Sequence, residues 1–363
     1  MKKSLIALAV LAASGASFAQ VTITGNFTTG YKQTSIAAAT TTAQGVTQNL
    51  AGGTGGNAAG DSSGLGIDTS LITFSAKEDL GGGMSVAAEM SIDGLSRGGV
   101  AGGDSSLKLT TSVGRVTLQT YKPVDYLSGG ISGVGGAGMD NKVFPARSLK
   151  DAIGFDTKIG PVFVGIAHME QASTSGASGT TGVGAGLGVG ASGSATTVGQ
   201  RLNSFSVTYV GGPLIANLNY LVYDNRSDGN LGNVSYKDVI RTAASYDFGS
   251  FKLGGGFSQL TTVSGATLAD GLVAVSVPVG KLTLGANFAS ETANGFTAGV
   301  YSGSPLIVLG AGAVDQSRTG YGLSASYALS KRTSLIANYA NWQAFNGASQ
   351  RNNETNLLVS HSF

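Results

Sequence analysis

The side chains that most often carry acid–base or metal chemistry are scarce in this chain. It has two histidines, His168 and His361, and no cysteine. Disulfides and thiolate metal sites are therefore excluded, and a Ser-His-acid hydrolase would have to use one of the two histidines. By strand alternation both histidines point outward, at opposite ends of the fold, and no serine near them is placed to be activated. We predict no catalytic residue, no metal site and no cofactor.

Two glycine-rich motifs resemble ligand sites. Residues 188–193 match G-x-G-x-x-G, but no helix or βαβ unit surrounds them, so a surface loop is the better interpretation. Residues 135–140 resemble one calcium-binding nonapeptide repeat, and such sites require tandem copies. The sequence alone leaves calcium binding by this second segment open.

The composition points to a β-rich membrane protein. Of 363 residues 58 are glycine, 12% are charged and 42% are hydrophobic. An ordinary soluble enzyme domain has about twice this charge and about half this glycine content. The plentiful apolar residues argue against disorder. After the first twenty residues no apolar run reaches 18 residues, which excludes a helical membrane span.

The first segment has the three-part layout of a secretory signal. Lys2 and Lys3 precede the apolar run 5–13, and small residues lead up to Ala19. We predict a signal peptide over residues 1–19, cleaved after Ala19, and one barrel domain over residues 20–363. Removing both lysines from the total of 22 basic residues leaves 20 basic and 20 acidic residues. A neutral mature chain lacks the basic patch that nucleic-acid binding requires, so no nucleic acid is expected as a partner.

The remaining chain alternates between apolar and polar residues with a period of two. Counting these segments gives sixteen strands of about ten residues, joined by short turns that alternate with long Gly/Ala/Ser/Thr stretches near 33–69, 122–147, 170–202 and 290–319. The fold predicted is all-β, a 16-stranded antiparallel transmembrane β-barrel with short periplasmic turns and long extracellular loops. The last strand runs to Phe363, where it can pair with the first. Residues such as Asn217, Asn287 and Ser324 fall on the polar face.

Four segments give the chain a resemblance to a known family. Residues 77–84 resemble the E-D-L-G-G-G turn of Gram-negative general porins, and residues 327–335 are similar to their Y-x-L-S-K-R-T-x-L segment. Residues 275–280 and the ending 361–363 also fit, and the likeness is greatest to porins of β-proteobacteria. The resemblance implies a homotrimer in outer-membrane lipid with the third long loop folded into the lumen. It also implies passive diffusion of ions and small hydrophilic solutes.

The chain departs from the family where basic residues are usual. Leu71 and Ser75 stand where the family pattern has lumen-facing basic residues, and Thr120 and Gly154 correspond to two further arginines. Strict alternation places Thr120 on the lipid face with Val116 and Leu118. The strong anion selectivity of some relatives is therefore not expected here.

The stretch 122–147, which corresponds to the family's third loop, is predicted to fold inward and narrow the channel, because its glycines allow close approach to the wall. The alternative is an outward-projecting loop. Charges of both signs nearly balance, so we predict weak ion selectivity. A barrel that serves as an adhesin or structural anchor is the alternative function. The predicted constriction residues are Lys122, Asp125, Asp140, Lys142 and Arg147 in the loop and Lys150, Glu89 and Asp93 on the wall.

Overall fold

A computed structural model describes residues 20–43, 46–51, 60–96, 99–145, 147, 150–170, 201–224, 236–295, 299–300, 308–309, 315–344 and 349–363. The predicted signal peptide and the motif at 188–193 lie outside these residues. Across the described ranges, the chain forms no helix that is long and apolar enough to cross a membrane.

Sixteen strands of the described residues form one closed antiparallel barrel, as the alternation predicts. Four more strands form two small separate sheets, β2 with β3 and β16 with β17. In chain order the strands are β1 (Gln20–Ile36), β2 (Ala38–Ala43), β3 (Val46–Ala51), β4 (Gly60–Gly81), β5 (Met84–Ser96), β6 (Gly99–Thr110), β7 (Arg115–Tyr121), β8 (Lys150–Ile159), β9 (Val162–Glu170), β10 (Arg201–Gly211), β11 (Leu214–Asp224), β12 (Tyr236–Asp247), β13 (Lys252–Thr262), β14 (Thr267–Val279), β15 (Leu282–Asn294), β16 (Gly299–Val300), β17 (Val308–Leu309), β18 (Asp315–Ala328), β19 (Thr333–Gln343) and β20 (Arg351–Ser362).

Two of the stretches predicted as long loops are partly strand, which corrects the sequence-based expectation. In the first of them β1 continues to Ile36, β2 and β3 pair, and β4 begins at Gly60. In the last, β15 continues to Asn294 and β18 begins at Asp315. Backbone pairing can extend strands beyond the band that faces lipid, where a continuous row of apolar residues is not required to mark them in the sequence.

Short turns join the strands at one end of the barrel. Gly212 and Gly280 have φ values of 54° and 62°, in the left-handed region that side chains with a Cβ resist. Each lies in a two-residue connection, between β10 and β11 and between β14 and β15. Glycine at these positions lets adjacent strands reverse directly. The long connections are thereby confined to the opposite end, the pattern of outer-membrane barrels.

The two faces of the barrel differ as the period of two predicts. On β15 the outward residues Leu284 and Phe288 are 44% and 49% exposed. Their cross-strand partners on β18 are Ala325 and Tyr321. Tyr321 and Tyr327 lie at the two ends of the outward row of β18, where aromatic girdles of membrane barrels lie. The outer face is therefore suited to lipid.

The barrel closes between its first and last strands. Gly25 and Phe363 exchange two backbone hydrogen bonds of 3.0 Å each. The phenyl ring of Phe363 lies directly over Gly25, where an added Cβ would come within 2.3 Å of ring atom Cζ. Closure leaves no unpaired strand edge, which a hydrocarbon environment would not tolerate.

Deleting Phe363 should lower the yield of folded barrel, because it removes two hydrogen bonds from the end of the β1–β20 ladder and the ring that covers Gly25. The measurement is the fraction of heat-modifiable barrel in outer-membrane extracts. Phe363→Tyr, which keeps the backbone and the ring, is the matched control. An undiminished yield from the deleted chain would contradict this role.

Candidate functional site

The segment between β7 and β8 turns into the barrel and packs against its inner wall. Leu127, Met139, Val143 and Phe144 in this segment are at most 2% exposed. They form an apolar cluster with five wall residues from four strands, Ile36, Leu272, Ala289, Ala340 and Trp342. The third-loop segment 122–147 (the inner loop) is thus held inside the lumen by its own hydrophobic core, and the outward-projecting alternative is wrong.

Inward-facing glycines make room for the inner loop on the wall. A Cβ at Gly254 would lie 2.1 Å from the carbonyl oxygen of Ser132, and one at Gly322 would lie 2.6 Å from that of Ala137. At Gly285 an added Cβ would lie 2.5 Å from the backbone nitrogen of Gly136. Such distances are sterically forbidden, so any larger residue would push the loop away. Gly256 and Gly320 are similarly crowded by loop side chains.

Hydrogen bonds from wall side chains fix the loop backbone. Asn287 donates from Nδ2 to the carbonyl oxygens of Gly135 and Ala137, at 3.1 and 2.8 Å. The backbone N–H of Gly136 donates to Ser324 Oγ at 3.1 Å. These contacts satisfy the polar groups of a loop that has no regular structure of its own. Asn287 and Ser324 are therefore loop supports, although alternation alone places them on the water-filled face.

A buried ion pair anchors the far end of the inner loop. Arg318 Nε lies 3.0 Å from Glu291 Oε1, and the two side chains are 3% and 0% exposed. Arg318 also donates from Nη2 to the carbonyl oxygen of Val143. Asp270 is opposite Glu291 in the β14–β15 register and is 9% exposed. A buried pair of this kind adds little net stability but defines one position for the group it holds.

The start of the inner loop is organised by Asp125. Its Oδ1 accepts hydrogen bonds from the backbone N–H groups of Leu127 and Ser128, at 3.0 and 2.6 Å, and from Ser128 Oγ at 3.0 Å. Burial raises the pKa of the Asp125 carboxyl, against the lowering effect of the Ser128 hydrogen bonds. Next to it, burial raises the pKa of Tyr126 to about 12, and its hydroxyl donates to Asn217 Oδ1 at 2.7 Å. The Asp125 carboxylate thus stabilises a turn.

The remaining channel lies between the inner loop and the facing wall of β4 to β9, and several charges around it form ion pairs. On the wall, Glu89 contacts Lys108 at 2.9 Å. The structure also pairs Asp140 with Arg147 at 3.1 Å. The predicted residue Lys142 lies 3.4 Å from Glu354, which also contacts Lys32 at 2.7 Å. Arg115 and Asp156 form a further pair at 2.9 Å.

Five members of these pairs were missed in the sequence-based site. The alternation of inward and outward residues along each strand could have identified them as lumen-facing, because each lies opposite an inward-facing residue of the neighbouring strand. The sequence gives no signal for the pairing itself, since the partners are far apart along the chain. The missed residues are Lys32, Lys108, Arg115, Asp156 and Glu354.

Three of the predicted constriction residues lie at the ends of the inner loop or on the wall. Lys150 is opposite Tyr121 in the β7–β8 register. The exposed Lys122 follows β7, and its backbone N–H donates to Asp104 at 2.8 Å. Asp93 on β5 is exposed. Among the residues that the structure describes, Lys122 and Asp93 form no ion pair with the charges of the inner loop.

Three positions at which the family has basic residues and this chain has none lie on different faces of the barrel. Leu71 is opposite Asn26 and Gly154 is opposite Thr117, both on the inner face. Thr120 faces outward, as alternation predicts, and donates from its hydroxyl to Asp151.

Neither histidine is part of a catalytic arrangement. His168 Nδ1 lies 3.0 Å from Asn203 Oδ1, and His361 Nδ1 lies 2.9 Å from Thr333 Oγ1. Both rings are on the outer face, at opposite ends of the barrel. In the part of the chain that the structure describes, no group of three or more His, Cys, Asp or Glu could hold a metal ion.

A closed barrel with an apolar exterior, a polar interior and a loop folded across its lumen is the architecture of a diffusion channel. The sequence model described as Gram-negative porin matches residues 5–344. The chain therefore belongs to the Gram-negative porin family, as the resemblance implied. It forms a diffusion channel of the outer membrane and is not an enzyme.

Solved porins have the same fold. The anion-selective porin from Comamonas acidovorans is 21% identical, with a TM-score of 0.64 over 95% of this chain and 100% of that chain. OmpT from Vibrio cholerae, folded in vitro, is 10% identical, with a TM-score of 0.58 over 94% and 97%. An engineered Rh. blastica porin is 13% identical, with a TM-score of 0.54 over 95% and 100%. No curated protein sequence matches the chain significantly.

Proposed function

We propose that the chain is a general-diffusion porin with weak ion selectivity, which passes ions and small hydrophilic solutes. The observation that carries this proposal is the pairing of lumen charges. Glu89 with Lys108, Asp156 with Arg115 and Asp140 with Arg147 each combine one acid with one base. Paired charges leave only a small field for a passing ion, whereas a row of unpaired bases would favour anions strongly.

The proposed constriction combines the inner loop and the facing wall. Asp140, Lys142 and Arg147 supply its charge on the loop side, and Glu89 supplies it on the wall. Lys122, Lys150 and Asp93 contribute to the approaches. Asp125 acts indirectly, because its carboxylate is bound by the first turn of the loop.

A salt gradient tests the selectivity. We expect a reversal potential close to zero for the refolded mature chain between two KCl solutions in a planar bilayer. Asp140→Asn leaves Arg147 without its partner and should favour chloride. One unit charge at 4 Å in water is worth about 1 kcal/mol, with opposite signs for chloride and potassium, so the chloride-to-potassium permeability ratio should rise by at most about 30-fold.

Asp79→Asn is the matched control, because Asp79 lies at the turn end of β4, where its carboxylate accepts the backbone N–H of Gly81 at 2.9 Å. It should leave the reversal potential unchanged. A potential near the ideal anion limit in the original chain would refute weak selectivity. An unchanged potential and conductance in Asp140→Asn would remove this residue from the constriction.

We also propose that the chain is exported with residues 1–19 as a signal peptide, cleaved after Ala19, and that it assembles as a homotrimer in outer-membrane lipid. The apolar outer row of the strands suits contact with either lipid or a neighbouring barrel. A large heat-sensitive species in mild detergent is the expected result, and a folded monomer alone would contradict the trimer. The adhesin or anchor function would instead give a silent membrane in the conductance measurement.

A further inference from the structure

The end of the inner loop meets β1 and β20 at a charge cluster of unequal composition. Lys32 Nζ lies 2.7 Å from Glu354 Oε2, and Lys142 Nζ lies 3.4 Å from Glu354 Oε1. Asn356 donates from Nδ2 to the same Oε1 at 3.1 Å. Two ammonium groups therefore share one carboxylate, and the cluster retains one positive charge.

This imbalance distinguishes the cluster from the other ion pairs of the channel. The pairs made by Lys108, Arg115 and Arg147 each have one carboxylate for one base. An anion that moves past these pairs meets little net attraction. At Lys32 and Lys142 it meets a positive potential that Glu354 cancels only in part.

A cavity of about 660 Å³ lies against the cluster. This volume is within the range of about 300–1,000 Å³ that is usual for small-molecule sites. Lys32 is 55% exposed, so donors of its ammonium group are accessible to a solute. Leu358 and Trp342 add apolar surface to the lining. The exposed Asp68 on the β4 side of the same cavity is a second acid, so the lining holds two lysines and two acids, and the excess of positive charge is local to Lys32, Lys142 and Glu354.

We propose that this cavity is a subsite that binds the carboxylate group of small organic anions on their way through the channel. The inference rests on the proposed channel function. Glu354 shows that a carboxylate fits between the two lysines and the Asn356 amide. A solute carboxylate would share these donors with Glu354, while its apolar part contacts Leu358 and Trp342. Glu354 then limits the affinity, because it partly neutralises the cluster.

Current through single channels in 0.1 M KCl tests this subsite, with potassium benzoate as the probe and neutral benzamide as its isosteric control. Benzoate should reduce the current in a saturable way, and benzamide should not. Lys32→Gln and Lys142→Gln should each weaken the benzoate effect about fivefold, the value of one charge at contact distance in water. Glu354→Gln should strengthen it by a similar factor.

Lys108→Gln is the matched control, because Lys108 is a lumen lysine on another part of the wall. At 0.1 M salt charges beyond about 10 Å are screened, so this change should alter the benzoate effect less than twofold. Lys142→Arg should retain the effect, which separates the charge of Lys142 from its contribution to loop position.

Four results would overturn the subsite: equal reduction by benzamide, equal weakening in Lys108→Gln, weaker binding in Glu354→Gln, or normal channels without any benzoate effect. A membrane without conductance steps would contradict the proposed channel function itself. The two failures are thereby distinguishable.

Discussion

Gly254→Leu should release the inner loop from the wall and raise the single-channel conductance. An added Cβ at this position would lie 2.1 Å from the carbonyl oxygen of Ser132, so the loop and the leucine cannot occupy their present positions together. Overpacking of a tight interior costs about 1–3 kcal/mol, which lowers the ratio of docked to undocked loop by about 5- to 150-fold. Conductance in a planar bilayer and protease cleavage within residues 122–147 are the measurements.

Gly255→Leu is the matched control for this experiment. Gly255 is adjacent on β13 but faces outward, and an added Cβ would meet only the carbonyl oxygen of Leu272, at 3.9 Å. The control should keep the original conductance and remain resistant to protease. If Gly254→Leu also kept both properties, the glycines of the wall would not be what allows the loop to dock.

Leu284→Arg should prevent or strongly weaken barrel assembly. Leu284 faces outward on β15, between the levels of Tyr327 and Tyr321 on the neighbouring strand, and therefore lies near the middle of the apolar band. An arginine on the lipid face at the bilayer midplane costs about 2–4 kcal/mol. The fraction of heat-modifiable barrel and the urea midpoint of unfolding in lipid vesicles measure this loss.

Thr283→Arg is the matched control, because Thr283 is the preceding residue, is exposed and faces the lumen. It should fold with nearly the original stability and mainly change the conductance. Equal loss of folding in both variants would show that the inside–outside assignment of β15 is wrong. Asn287→Arg is unsuitable as a control, since Asn287 supports the inner loop.

The outward and inward rows of the strands could be predicted from the sequence because their cause is local. Each outward residue must be compatible with lipid, whichever strand pairs beside it, so the period of two is present within every segment. The even strand number and the closing role of Phe363 follow in the same way from the need to leave no unpaired edge. The long extensions of β4 and β18 were missed because they are rich in polar residues and glycine, and because the burial of Arg318 depends on the docked loop rather than on a local apolar row.

The contacts of the side chains that face the lumen could be determined only from the tertiary structure. Asn287 and Ser324 read as lining residues of a water-filled channel, but they support a loop that lies more than 140 positions earlier in the chain. Gly254 and Gly322 read as weak points of strands, and only the docked loop shows why a Cβ is excluded there. A side chain on the inner face meets water or protein depending on where the loop lies.

For the charged residues too, one part of their arrangement follows from the sequence and another part only from the tertiary structure. The sequence by itself determined that acids and bases are balanced and that many of them face inward, because composition and parity are properties of each segment. Only the tertiary structure decided that Lys32 and Lys142 share Glu354 while Lys108, Arg115 and Arg147 have one acid each. That pairing joins β1, the inner loop and β20 across more than 300 residues, and it forms because closure of the barrel and docking of the loop bring these three elements to one place.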